Sequence, residues 1–432
     1  MNHINIDNIK KVILEQKEEI KEIFEKERII NREISEKKLL KYLNKPNIIA
    51  ILGTRRSGKT LLSILLLKKK KYGYVNFDDE RLTDIKKSDL NKILESLYSL
   101  EGEDLQYIIL DEIQNIQGWE LFANRLRRTK RVIITGSNAK LLSGELATHL
   151  TGRYISLELF PFSFKEVLIF KGRKLKKEYT TKQIAGIRNE LEEYIKIGGF
   201  PEVYKIGRRM IQNIFDDIIS RDIFMRHEVK YKSEFRDISK YLLSNFGCEI
   251  TLTKLKNIFS IKDIHTIRDY VDYLEESYLI FNLEKISYKL KEQMIAPKKV
   301  YAIDTGIINS IAFQLTENKG RLYENIVMIE LLRRSNYNED FEIYYWRDER
   351  HHEVDFVIKK GPEVRQLIQV CYDLNDEKTK EREVRNLINA SKKLRCKNLV
   401  IITGDYEGQE EISWFGTEGT ITFIPLWKWL LS

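Results

Sequence analysis

The stretch Ile48 to Leu67, IIAILGTRRSGKTLLSILLL, limits the fold more than any other part of the chain. Its first five residues, Ile48-Ile49-Ala50-Ile51-Leu52, are all apolar, as in a buried strand. Leu61-Leu62 and Ile64 to Leu67 suit a buried helix. Between them, Gly53-Thr54-Arg55-Arg56-Ser57-Gly58-Lys59-Thr60 fits the spacing G-x-x-x-x-G-K-S/T. Gly53 and Gly58 let the backbone curl so that successive N–H groups face an anion. The helix N-terminus that follows adds partial positive charge. This pattern points to the phosphates of ATP, with Gly53, Arg56, Ser57, Gly58, Lys59, Thr60 and Leu61 as candidate contacts. Lys59 would reach the β- and γ-phosphates, and the Thr60 hydroxyl would ligate Mg²⁺.

Bulk properties bound the rest. A chain of 432 residues exceeds one ordinary domain, so two to four are expected. The net charge of +9 permits a polyanionic partner such as nucleic acid. It fits lysines on solvated helix faces equally well. Cys248, Cys371 and Cys396 have no metal-ligand spacing and suit a reducing compartment. The amino-terminal residues lack the apolar core of a secretion signal, and no apolar run is long enough to span a membrane. A cytoplasmic location is expected.

The segment Lys17 to Arg32 reads as a charged amphipathic helix that packs on the nucleotide domain or on a partner. Lys68-Lys69-Lys70-Lys71 complements the dipole at the end of the loop helix. Tyr74 to Asp79 reads as a second strand ending in acids. Tyr107-Ile108-Ile109-Leu110-Asp111-Glu112 is an apolar strand ending in two carboxylates, the Walker B pattern. Asp111 would hold Mg²⁺ opposite Thr60, and Glu112 would orient the attacking water or accept its proton. Arg131 to Thr135 is a further strand. Beyond it Asn138, or alternatively Ser137, is placed to touch the γ-phosphate or the water. An ordinary turn with an N-cap is the competing explanation. Arg153 is a candidate for stabilising charge on the transferring phosphate, in its own subunit or a neighbour.

GTRRSGKT, IILDEIQ, ITGSNAKLLSGELATHLTGR and LELFPFSFKEV, with the later IGGFPEVYK, YENIVMIELLRR, EVDFVI and IQVCYDL, resemble a prokaryotic AAA-type P-loop ATPase family. Its members join an AAA-like core to a C-terminal domain of uncharacterised function. The resemblance runs from about residue 46 to the last residues. It implies an α/β fold: a P-loop AAA-like core, a helical lid, a winged-helix segment and a C-terminal nuclease-like α/β domain. The expected divisions are an N-terminal helical segment (1–45), the core (46–160), the lid (161–230), a winged-helix-like domain (231–305) and the nuclease-like domain (306–432).

The residues support these divisions unevenly. Ile184 to Ile197 and Met210 to Arg226 read as helices separated by Gly198-Gly199-Phe200-Pro201-Glu202, with Arg221 as a second sensing arginine or a surface ion pair. Thr251 to Phe259 and Asp263 to Leu279 suit a helix-turn-helix exposing His265, Thr266 and Arg268, with Phe281 to Asp304 as a wing hairpin. This module could contact double-stranded DNA, although Asp269, Asp272, Glu275 and Glu276 share its third helix. In the last domain Glu324 and Asp355 match the acids of a restriction-endonuclease-like core. Gln369 stands where that chemistry needs a second acid, and Cys371 where it needs a lysine. Lys359 and Lys360 are candidates for a migrated lysine. His351 and His352, read as adjacent on a strand, would point to opposite faces and hold no metal together. A degenerate domain is favoured.

The expected function is a Mg²⁺-dependent, ATP-hydrolysing switch or motor acting on DNA, with a homo-oligomer open. The alternatives are a metal-dependent nuclease regulated by ATP, and a nucleotide-holding scaffold with little turnover.

Overall fold

The computed structural model describes residues 5–34, 36–142, 150, 152–313, 318–336, 341–414 and 417–432. Residues 143–149 and 151, part of the family-like segment TGSNAKLLSGELATHLTGR, lie outside the described residues. The chain divides into two compact units. The first holds Met1–Phe160, Ile169–Arg173 and Glu276–Tyr278; the second holds Pro161–Leu168, Lys174–Glu275 and Leu279–Ser432.

The first unit is built on a parallel sheet of β1 (Ile48–Leu52), β2 (Tyr72–Asn76), β3 (Tyr107–Asp111), β4 (Arg131–Gly136) and β5 (Tyr154–Glu158), in the order β2-β3-β4-β1-β5. Every residue of β1 is buried, as its unbroken apolar run requires. The register aligns Leu52 with Gly136 and Asn76 with Asp111, so the strands carry their C-terminal ends to one edge. In open α/β sheets that edge is where ligands bind.

Helix α1 (Ile6–Lys26) buries Ile9, Val12, Ile13, Gln16 and Ile20 at helical spacing. Gln16 anchors it to β2: its amide donates to Asn76 O at 3.1 Å and accepts from Asn76 N at 2.9 Å. The expected helix from Lys17 to Arg32 is thus corrected. The helix starts earlier and stops at Lys26, where Glu27 turns extended. That exit carries Arg32 to the glycine loop.

In the second unit, helix Thr181–Ile197 opens with a reciprocal Thr180–Gln183 cap and stops at Gly198, whose φ is +76°. Asp304 accepts from the N–H groups of Gly199 (2.6 Å), Gly306 (2.9 Å) and Ile307 (3.3 Å), tying the double glycine to a later helix start. A Cβ on Gly199 would lie 2.2 Å from Phe162 O, so only glycine fits. The expected single helix from Met210 changes to a π-helical turn over Ile218–Phe224. There the Ser220 hydroxyl bonds Asp216 O at 2.6 Å, competing with the regular ladder.

Next come helices Lys232–Ser244, Leu252–Phe259 (capped by Thr251) and Ile264–Glu276. They accompany an antiparallel sheet of β6 (Glu249–Ile250), β7 (Ile280–Leu283) and β8 (Lys298–Ala302), in the order β6-β8-β7. The expected plain hairpin between β7 and β8 instead contains a short helix, Leu290–Ile295. A six-stranded sheet, β13-β14-β12-β11-β10-β9, completes the unit. Its strands are β9 (Phe341–Arg347), β10 (Glu353–Lys360), β11 (Glu363–Cys371), β12 (Leu399–Thr403), β13 (Gly408–Trp414) and β14 (Thr417–Pro425). Val384, Leu387 and Ile388 of helix Glu377–Leu394 share its core with Leu367, Ile401 and Phe423. His351 and His352 precede β10 rather than lying on a strand, and each ring contacts its own turn: His351 meets Arg347, and His352 meets Asp348.

Candidate functional site

The loop after β1 takes positive φ at Gly53 (+146°), Arg56 (+63°) and Gly58 (+96°). A Cβ on Gly53 would meet Leu159 O at 2.2 Å, so this position admits only glycine. Gly58 is the N-cap of helix α2 (Lys59–Leu67) and brings no side chain to cap it. First-turn N–H groups are thereby left for a ligand. Thr54 Oγ1 and Ser57 Oγ are buried with no hydrogen-bond partner. Buried hydroxyls without partners are costly. Their presence beside this loop fits a phosphate chain.

Lys59 is 4% exposed. Its ammonium donates to Thr54 O at 3.1 Å and lies 3.3 Å from Glu112 Oε1. Thr60 Oγ1 donates to Asp111 Oδ2 at 2.8 Å. The register that brings β1 and β3 to one edge therefore assembles Lys59, Thr60, Asp111 and Glu112. Asp111 also accepts from Tyr74 Oη at 2.8 Å and from Thr135 Oγ1. Burial, with Glu112 beside it, pushes the Asp111 carboxyl up from its usual range, against the pull of these three hydroxyls.

Glu112 has left-handed backbone angles, φ 49° and ψ 43°. For a residue with a Cβ this stores about 1–3 kcal/mol of strain. Its surroundings fix it there. The backbone N–H donates to Thr135 Oγ1 at 3.0 Å, Ser137 Oγ donates to the carboxylate at 3.2 Å, and Gln114 Nε2 donates to the same oxygen. The Asn138 side-chain oxygen accepts from Lys140 N at 2.6 Å, at the start of the short turn Ala139–Leu142.

Arg153 is not brought to this site. Ile48 N donates to Arg153 O, and β5 starts level with the start of β1, so Arg153 stands at the opposite edge of the sheet. A strand of that length separates it from the loop by about 17 Å. Arg221 falls in the π-helical turn of the second unit.

Four residues of the site escaped the sequence reading. Thr135 bridges Asp111 and Glu112, Tyr74 holds Asp111, and Gln114 holds Glu112. Arg32 donates to Ser57 O (2.8 Å) and Phe160 O (2.7 Å), bracing the loop from the N-terminal segment. For Thr135 the local signal was only a polar residue closing the apolar run Val132 to Ile134; the β3–β4 register sets it beside Asp111. No local pattern marks Arg32.

A family model described as an AAA domain matches residues 45–168. Two described as domains of unknown function match 188–319 and 319–429. An uncharacterized protein of Methanocaldococcus jannaschii is 38% identical, over 95% of this chain and 93% of its own length. An uncharacterized protein of Haemophilus influenzae is 31% identical, over 94% of this chain and 99% of its own. Among solved structures, the Walker-type ATPase of Pyrococcus abyssi aligns at 14% identity, covering 65% of this chain and 95% of that one, with a TM-score of 0.44. The chain belongs to the same family as these two full-span relatives, and its residues 45–168 form an AAA domain. No helix among the described residues is long and apolar enough to cross a membrane.

Proposed function

We propose that the chain binds ATP with Mg²⁺ at the Gly53–Leu61 loop and hydrolyses it to drive a switch or motor. One observation carries this reading: Lys59, Thr60, Asp111 and Glu112 meet at one sheet edge, beside a loop with two buried, unpartnered hydroxyls. Gly53, Arg56, Ser57, Gly58, Lys59, Thr60 and Leu61 would hold the phosphates. Thr60 and Asp111 would hold Mg²⁺, which when bound neutralises charge on phosphate oxygens. Glu112 orients the attacking water and takes its proton, steadied by Ser137 and Gln114. Asn138 sits one residue beyond Ser137 and remains the candidate reporter of the γ-phosphate. Arg153 can act only on a neighbouring subunit's nucleotide, because its own loop is a strand length away. Steady-state ATP hydrolysis by wild type and Glu112→Gln tests the assignment: the variant should bind ATP and lose turnover.

Duplex DNA is the proposed partner of the second unit. The support is a three-helix, three-strand module whose helix Ile264–Glu276 exposes His265 and Arg268 near its start, in the manner of a winged helix. Gel shift across a salt series tests it, and no binding at low salt would count against DNA. We read residues 306–432 as a nuclease-like α/β domain that no longer cuts. Glu324 and Asp355 do come together, but Gln369 turns its amide to Asp355 N and Glu383. Burial pushes the Cys371 thiol up to about 12, so it supplies no charge at neutral pH.

A further inference from the structure

The carboxylates that a nuclease-like domain would offer to a metal are already served by a cation of the chain itself. Lys299, from the middle strand β8 of the small sheet, extends its ammonium to Glu353 Oε1 (2.6 Å), Glu324 Oε1 (2.9 Å) and Asp355 Oδ1 (3.2 Å). The three acids come from helix Lys319–Ser335 and from β10, where Glu353 and Asp355 share one face. Remaining acceptor capacity is also in use. Tyr301 Oη donates to Glu324 Oε1 at 2.6 Å, and Val370 N donates to Asp355 Oδ2 at 3.0 Å. Neither expected substitute lysine takes this place: Lys359 pairs with Glu342 at the sheet surface, and Lys360 is exposed.

Access points the same way. Lys299 is 2% exposed and Asp355 6%, so a scissile phosphate could not reach them. Burial works against the Lys299 charge, but Glu324, Asp355 and Glu353 overcome it and hold the ammonium well above the usual lysine range. Burial, and then Glu324, pushes the Asp355 carboxyl well up. One ammonium thus sits within 3.2 Å of all three acids, in the place a divalent ion would need. A neutral amide at Gln369 adds no hard ligand.

We propose that Lys299 is the resident cation of this carboxylate cluster, that it excludes divalent metal, and that removing it creates a metal site. The ammonium also pins the small sheet to the six-stranded sheet within the second unit, a role that a diffusible ion would fill only at some concentrations. The inference is independent of what the glycine loop does.

The test is Mn²⁺ titration of the nucleotide-free full chain, read by the loss of the free-ion paramagnetic signal. Any weak Mn²⁺ binding at the Thr60–Asp111 edge is common to every variant and cancels. Wild type and Asp355→Asn should give the same isotherm. Lys299→Met should gain one site, at least about tenfold tighter than any in wild type. Lys299→Met combined with Asp355→Asn should lose it again. A wild-type site that disappears in Asp355→Asn would overturn the proposal, as would a folded Lys299→Met chain with no gained site. Cleavage of plasmid DNA by wild type with Mn²⁺, abolished in Asp355→Asn, would overturn it as well. If Lys299→Met fails to fold, because buried Glu324 and Asp355 and half-buried Glu353 have lost their partner, the wild-type and Asp355→Asn pair still decides the exclusion claim.

Discussion

The Lys59 ammonium and the Glu112 carboxylate stand 3.3 Å apart, so the loop cation and the strand-end acid are paired with each other. In the proposed cycle, Lys59 must turn to the phosphates and Glu112 to the water. Binding of nucleotide would therefore break this pair. Lys59→Ala should lose ATP binding by at least about tenfold, since a buried partner of the phosphates is removed. Equilibrium binding of a fluorescent ATP analogue checks it, and unchanged affinity would remove Lys59 from the site.

Thr135 is the residue through which β4 fixes β3. Its hydroxyl serves Asp111 and the Glu112 N–H at once. Thr135→Val keeps the shape and removes both bonds. The expected cost is about 1–3 kcal/mol of stability, because buried polar groups lose partners. Turnover should fall together with it as Glu112 leaves its strained backbone position. Denaturant unfolding and ATPase rate read the two effects. A variant that matches wild type in both would show that Thr135 does not hold the strand end.

Asp304 makes a pH-dependent contribution. Burial raises its carboxyl to about 6, against the N–H groups of Gly199, Gly306 and Ile307. A raised value means that the folded form holds the proton more tightly than the unfolded chain. The stability gained is fully present below the unfolded value of about 3.8 and is lost as pH rises through about 6. Between about pH 4 and 7, wild type should lose on the order of 2–3 kcal/mol that Asp304→Asn does not. Paired unfolding curves at both ends of that range measure the difference. Parallel behaviour of the two proteins would contradict it.

Arg153 separates action within a subunit from action between subunits. Its place at the far edge of the sheet predicts that Arg153→Ala leaves turnover within about twofold of wild type at protein concentrations where the chain is a monomer. A large fall under those conditions would mean that the loop and Arg153 approach each other in a way the β1–β5 register forbids.

Much of the candidate site was legible because its residues lie in short local patterns. Gly53 to Thr60 declares its backbone through two glycines, and Asp111-Glu112 ends an apolar run. What escaped depends on neighbours far apart in sequence. Thr135 reaches Asp111 only through strand register, and Arg32 reaches Ser57 only because α1 ends six residues earlier than its charge pattern suggests. Lys299 lies on a different sheet from Glu353 and Asp355, so no spacing rule could bring them together. The short helix Leu290–Ile295 and the π-helical Ile218–Phe224 are local departures. Packing of Ile218, Ile219 and Ile223 selects the π-helical turn, whereas the short helix buries none of its residues and is held locally by Ser287 and Lys289 bonding Glu292.

The central claim rests on hydrolysis at the edge shared by β1 and β3. The most direct measurement is steady-state ATP turnover with Mg²⁺ by wild type and Glu112→Gln, alongside ATP binding by both. The account predicts turnover by wild type, a loss of about 10²–10⁴-fold in Glu112→Gln, and ATP binding retained in the variant. Equal turnover by the two proteins would contradict it.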